Sequence, residues 1–278
     1  MRFVKMHGIG NDYVYIDCFR QPAPADPAAL SVRVAKPHTG IGSDGLILIL
    51  PCEDADARMR IFNADGSEAG MCGNGIRCVA KYLFDSGLCR KTDMVIRAKD
   101  GLRRVRVCTE GGAVSGASVD MGVPRFGPAD VPVLADTNRV TLRACGREFD
   151  LFTLSVGNPH AVLFGALPSD EELRLYGPLL ENDPAFPDRA NIEWNEVLSA
   201  HRLRMRVWER GSGVTMACGT GATASAVAAI RLGLCESPVT VEMPYGELVI
   251  EYTGSGSAVM TGPAVTVFTG EFPDTYLL

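Results

Sequence analysis

The most regular pattern in the chain follows Cys72. Ile76, Val79, Ala80, Leu83 and Phe84 recur at the spacing of an amphipathic helix, which Gly87 can terminate. A second helical segment, 222–232, has only Thr223, Ser225 and Arg231 as polar residues. A helix apolar nearly all round is buried, so it is expected to run through the middle of its domain with strands wrapped about it. β-branched and apolar runs bounded by Gly, Asn and Asp predict strands at 3–6, 14–17, 46–50, 58–62, 94–98, 103–108 and 117–121. Further strands are predicted at 153–156, 202–207, 239–242, 247–251 and 258–260, and short surface helices begin within 25–30 and 168–173. Strands outnumber helices, which suggests mixed sheets with one central helix each rather than a doubly wound parallel sheet.

The pattern occurs twice. Met59-Arg60-Ile61-Phe62-Asn63 matches Met205-Arg206-Val207-Trp208-Glu209, and the offset of 146 that separates Met59 from Met205 also carries Cys72-Gly73-Asn74-Gly75 onto Cys218-Gly219-Thr220-Gly221. It continues from Gly87-Leu88-Cys89 to Gly233-Leu234-Cys235, while Gly10-Asn11-Asp12 pairs with Gly157-Asn158-Pro159 at an offset of 147. The chain therefore reads as an α/β protein of the α+β type, built from two pseudo-symmetric copies of one unit. Each is expected to be a mixed, largely antiparallel sheet wrapped around a central helix, with the active site in the interdomain cleft. The first copy is placed at 1–130 and the second at 131–278, with a C-terminal strand able to cross back.

Composition narrows the function. Of the 278 residues, 46% are hydrophobic and 22% charged, as in an ordinary globular protein. Lys and Arg number 27 against 33 Asp and Glu, a net charge of -6, so no basic field is available for nucleic acid or an anionic membrane. No apolar run approaches the ~18 residues of a spanning helix, and the first residues lack the apolar core of a signal peptide, so the expectation is a cytoplasmic protein. Nine cysteines, an odd number in a chain too large to need stapling, are expected to be reduced.

Most of those cysteines read as core residues. Cys72 and Cys218 differ, because each precedes Gly-x-Gly at a helix start, where unpaired N–H groups and the positive end of the helix dipole converge. That position is expected to lower a thiol pKa toward neutrality, and the glycines let a carboxylate approach the N–H groups. Two such turns would allow one thiolate to remove a proton from a carbon beside a carboxylate while the opposite thiol supplies one to the other face. Oriented N–H groups could stabilise the charge that develops. A lone Cys-Gly-x-Gly is more often a structural cysteine; its recurrence at the repeat offset favours the chemical reading. No Cys-x-x-Cys spacing supports a metal, and no phosphate-loop or dinucleotide fingerprint is present. The scheme requires no cofactor.

At these residues the sequence resembles the diaminopimelate epimerases. The matching segments are 5–12 (Lys-Met-His-Gly-Ile-Gly-Asn-Asp), 62–67, 71–78, Gly157-Asn158-Pro159-His160, Gly177-Pro178-Leu179-Leu180-Glu181, Glu209-Arg210-Gly211 and Ala217-Cys218-Gly219-Thr220-Gly221. The resemblance implies a cofactor-independent enzyme that interconverts LL- and meso-diaminopimelate for lysine and peptidoglycan precursor synthesis, as a homodimer. It implies Cys72 and Cys218 as the acid/base pair, with Gly73, Asn74, Gly219 and Thr220 contacting the reacting carboxylate. Asn11, Asn63, Asn158, Asn191, Glu209 and Arg210 fall on substrate-binding positions, and His160 and Glu209 on residues that modulate the thiol pKa values. Glu209 and Arg210 have complementary charges for a distal amino-acid head. Gly45 and Val214 depart from residues that some members carry, Gln and Glu respectively. A racemase of proline or histidine type on the same architecture, and a non-catalytic amino-acid binder or phenazine-type isomerase, are the alternatives. Arg210 argues against the first, since a monocarboxylate leaves it without a partner, and the presence of both cysteines against the second.

Overall fold

The computed structural model describes residues 1–273. The chain forms two compact units, one of Met1–Val119 with the returning segment from Thr261, the other Asp120–Met260. Against the expected 1–130 and 131–278, the first crossing comes earlier and the C-terminal segment from Thr261 is grouped with the first unit.

The first unit begins with β1 (Arg2–Gly8), β2 (Asn11–Asp17), α1 (Pro27–Ala35), β3 (Gly45–Leu50), β4 (Ala57–Asn63) and the short β5 (Glu68–Ala69). It continues with α2 (Gly73–Asp85), β6 (Asp93–Ala98), β7 (Gly101–Glu110) and β8 (Ala113–Gly122), whose last residues carry the chain into the second unit. Pairing is antiparallel for β1–β2, β3–β4, β6–β7 and β7–β8, and parallel for β2–β3 and β4–β6, where a helix makes the crossover. β3, Gly-Leu-Ile-Leu-Ile-Leu, is apolar at every position after its glycine because helices cover both faces. Leu46 and Leu48 pack with Leu30 and Val34 of α1, whereas Ile47 lies against the start of α2 at Gly75.

The second unit repeats this order. β9 (Arg139–Ala144) is followed by β10 (Arg147–Ser155), β11 (Pro159–Phe164), α3 (Asp170–Glu181), β12 (Asn191–Ser199), β13 (Arg202–Glu209) and β14 (Gly213–Val214). After these come α4 (Gly219–Arg231), β15 (Val239–Met243), β16 (Gly246–Glu251) and β17 (Ala258–Pro263). Again the parallel pairs are those bridged by a helix, β11–β12 and β13–β15, while β10–β11, β12–β13 and β15–β16 are antiparallel. Ala161 and Leu163 of β11 face the α3 core, and Val162 between them faces Ala224, Val227 and Ala228 of α4. α4 can occupy the middle of the unit because its side chains are small: ten of its thirteen residues are buried.

β18 (Val265–Glu271) returns to the first unit and pairs antiparallel with β1. The fold is a mixed α+β fold with many strands and few helices. No helix among the described residues is long and apolar enough to cross a membrane.

Candidate active site

Each repeat places its cysteine at the N-cap of the buried helix. Cys72 has φ -137° and ψ 114°, Cys218 φ -127° and ψ 107°, and each sulfur accepts the N–H of the residue three places on, Gly75 or Gly221. The N···Sγ distance is 3.3 Å in both. A cysteine thus takes the place that Ser, Thr or Asp fills in an ordinary cap, and the oriented N–H groups meet a titratable nucleophile. At Gly221 the fit is close: a Cβ would lie 3.2 Å from the Cys218 sulfur and 3.0 Å from Glu193 Oε1.

In the first unit Asn11 is the organising residue. Its amide donates to Asp44 at 2.6 Å, which turns the carbonyl oxygen toward Cys72 Sγ and Asn74 Nδ2, each 3.3 Å away. Asn74 is locked from the other side by Arg77, a fully buried guanidinium that donates to Asn74 Oδ1 at 3.0 Å, to the Gly73 carbonyl and to the Pro263 carbonyl. Tyr13 is buried beside Cys72; burial, then the neighbouring Cys72 and Asp44, pushes its phenol well above the usual range. Asn63 stands apart, donating to Ser67 Oγ at 3.1 Å within its own turn. Gly45 has φ +154°, and a Cβ there would run into the Phe62 carbonyl, so the local backbone is fitted to glycine.

In the second unit a polar chain reaches Cys218. Thr220 Oγ1 is 3.5 Å from the sulfur and 3.5 Å from Asn158 Nδ2. Asn158 Oδ1 is 2.8 Å from His160 Nε2, and His160 Nδ1 is 2.7 Å from Glu193 Oε1. His160 and Glu193 have no exposure to solvent, and Glu193 Oε2 is buried without a hydrogen-bond partner among the described residues. Glu209 accepts a bond from Thr215 Oγ1 at 2.8 Å. Asn191 Oδ1 receives the Arg210 N–H at 2.9 Å, and the Arg210 guanidinium donates to the Asp188 carbonyl.

These surroundings correct one expectation. A helix N-terminus alone would bring the Cys218 thiol toward neutrality, but burial, reinforced by the negative charges of Glu209 and Glu193, pushes it well above its usual value. The bonds from Thr220 and Gly221 act the other way and do not overcome burial. At Cys218 these surroundings favour the thiol over the thiolate.

Four residues that line these half-sites were not singled out by the sequence reading: Tyr13, Asp44, Glu193 and Thr215. Tyr13 immediately follows the matching segment 5–12, whereas Asp44 lies outside every matching segment, next to the departing Gly45. Glu193 offered a signal in retrospect, a carboxylate in the middle of Ile192-Glu193-Trp194, where burial demands a partner. Among the described residues no group of three or more His, Cys, Asp or Glu side chains can hold a metal ion.

The same architecture occurs in the solved structure of a probable proline racemase from Agrobacterium radiobacter, with a TM-score of 0.71 over 98% of this chain and 93% of that one at 15% identity. The class is thus the two-domain fold shared by proline racemase-like, phenazine biosynthesis and diaminopimelate epimerase-like proteins. Within it, the sequence model of the family described as diaminopimelate epimerase matches residues 3–127 and 152–267. Proteins named diaminopimelate epimerase from Desulfovibrio desulfuricans and Agathobacter rectalis are each 48% identical over 282 residues, covering 98% of this chain and 98% and 99% of theirs. The chain belongs to the diaminopimelate epimerase family, and it is an isomerase.

Proposed function

We propose that the protein interconverts LL- and meso-diaminopimelate by a two-base mechanism in which Cys72 and Cys218 act on opposite faces of one α-carbon. The observation that carries this reading is the repeated cap: two thiols, 146 residues apart, each the N-cap of a buried helix with the same backbone geometry and the same N–H···S bond. In the direction that starts with Cys72 as base, Cys72 takes the α-proton and Cys218, kept protonated, delivers its own to the opposite face. In the reverse direction the roles exchange. As the α-proton leaves, negative charge moves into the substrate carboxylate, and the N–H groups at Gly73, Asn74, Gly219 and Thr220 stabilise it. Asn11 and Asn158 orient the reacting head, while Asn63, Asn191, Glu209 and Arg210 recognise the distal one. His160, fixed between Asn158 and Glu193, and Glu209 tune Cys218.

This reading places the enzyme in the cytoplasm, in lysine and peptidoglycan precursor synthesis. It also takes the chain to act as a homodimer; Val265, Val267 and Phe268 of β18 are exposed apolar side chains available to such an interface.

The test is turnover of LL-diaminopimelate in heavy water without added pyridoxal phosphate or metal. Early meso product should carry deuterium while recovered LL-substrate stays largely protiated, and Cys72→Ala and Cys218→Ala should each abolish turnover. Substantial early labelling of unreacted LL-substrate, or near wild-type turnover in either variant, contradicts separate roles for the two thiols.

A further inference from the structure

The segment from Gly177 to Glu181 matches the family and yet supplies nothing to either cysteine. It forms the last turns of α3, and its two ends address one neighbour. Gly177 lies against Trp208, where a Cβ would come within 2.4 Å of the indole ring atoms. Four residues on, on the same side of the helix, Glu181 is buried, and its Oε2 accepts the indole N–H of Trp208 at 2.7 Å. Its Oε1 accepts the backbone N–H of Gly211 at 2.8 Å and a bond from Arg189 at 3.3 Å. Trp208 and Gly211 are the residues on either side of Glu209-Arg210. One buried carboxylate therefore fastens both ends of the turn that carries those two charges, and Asn191 fastens its middle through the Arg210 N–H.

From this geometry we infer that Glu181 is a positioning residue for substrate recognition: it fixes the Glu209-Arg210 turn and thereby sets how tightly the distal amino-acid head is bound. The inference rests on the proposed role of Arg210 in binding that head. Glu181 touches neither sulfur. Its partners are an indole N–H, a main-chain N–H and a guanidinium, all donors, so a carboxylate suits the position and a carboxamide does not. With Gln, the amide NH2 must face one of two N–H donors, and one end of the turn comes loose. A turn free to move holds Arg210 away from its best geometry for part of the time, which weakens ground-state binding, while Glu209 is tied separately to Thr215 and so its charge beside Cys218 is disturbed less.

The experiment compares the wild type, Glu181→Gln, Trp208→Phe, the double variant Glu181→Gln/Trp208→Phe, and Arg210→Ala with LL-diaminopimelate. Glu181→Gln should raise KM about tenfold, the order expected for one hydrogen bond to a charged group, with kcat falling no more than about threefold. The double variant removes the indole donor, lets the Gln oxygen keep Gly211, and should bring KM back to within about threefold of the wild type. A change of KM in Glu181→Gln that is absent, a loss confined to kcat, or a double variant no better than the single overturns the inference. Should Glu181→Gln not fold, Trp208→Phe decides: loss of one of the two anchors should raise KM about threefold, and an unchanged KM is the contrary result. Absence of wild-type turnover, or an unchanged KM in Arg210→Ala, overturns the functional reading instead; a raised KM in Arg210→Ala beside an unchanged one in Glu181→Gln overturns only the role of Glu181.

Discussion

Cys72 and Cys218 hold the same position in two copies of one helix start, but their neighbours differ in charge. Cys72 sits among Asn11, Asn74 and the buried Arg77; Cys218 sits among Thr220, Glu209 and Glu193. For Cys218 the two carboxylates reinforce burial, and Glu209 is the larger of the two charge effects. A negative neighbour disfavours the thiolate, so its removal lowers the thiol pKa, and the pH at which Cys218 ceases to be a donor moves down. Glu209→Gln in a Cys72→Ala background should therefore shift the pH profile of iodoacetamide alkylation of Cys218 to lower pH, and Glu193→Gln should shift it by less in the same direction. Profiles that coincide with that of Cys72→Ala alone would show that burial sets the thiol without help from either carboxylate.

At the level of elements, the start of α4 is where helix preference and site geometry conflict. Alanine at an interior helix position is favoured over glycine by roughly 1 kcal/mol, less in the first turn. At position 221, however, the added Cβ meets the Cys218 sulfur at 3.2 Å and Glu193 Oε1 at 3.0 Å, so both must give by a few tenths of an ångström. Gly221→Ala should change unfolding free energy by less than about 1 kcal/mol, because the two effects oppose each other, yet lower turnover at least tenfold. Urea unfolding and turnover on one preparation check this, and full activity would show that the sulfur tolerates displacement.

The same conflict explains what could be read from the sequence. The helix after Cys72 and the all-apolar helix of the second repeat are legible because their burial pattern is simple, and the first does end before Gly87, at φ +75°. α4 begins at Gly219 rather than at the predicted residue 222, since Gly219-Thr220-Gly221 has no apolar stripe to announce it. β12 was missed entirely. Its buried face carries Asn191, Glu193 and Asn195, which read as loop residues but are inside because they bond His160, Arg210 and neighbouring carbonyls. β9, β11 and β18 also go unpredicted, as do the two-residue β5 and β14. β18 is exposed along its length and so presents no buried face for the pattern to reveal. The two cysteines stand out through the repeat and the Asn positions through the family resemblance, whereas Glu193 and Tyr13 become visible only through the side chains they touch.

For the molecule as a whole, pH acts on buried thiols. Cys78, on the inner face of α2 and fully buried, is pushed up to about 11 by burial. An acid whose folded pKa exceeds its unfolded value contributes stability that is fully present below the unfolded value and is lost as pH rises through the folded one. The window runs from pH 9 to about 11, and the loss attributable to Cys78 is at most about 2–3 kcal/mol. Cys18, half-buried and also raised to about 11, adds a smaller contribution in the same window. Urea unfolding at pH 8 and pH 10.5 should show this loss, and Cys78→Ala, less stable at pH 8, should be less sensitive to pH. Equal sensitivity in the two proteins would assign the alkaline loss to other groups.

The return of β18 to β1 has a consequence for synthesis on the ribosome. Residues 120–260 are contiguous, so the second unit has all its strands as soon as that stretch has emerged. The first unit does not. Its opening strand, made first, pairs on one side with β2 but must wait for 265–271 before its other partner exists, and the N-terminal amine likewise finds the Phe272 carbonyl only then. Throughout elongation β1 is an open edge, with backbone N–H and C=O groups ready to pair with any passing strand, another nascent chain included. The first strand of the unit is therefore among the last to be secured, and crowding of nascent chains endangers the first unit more than the second.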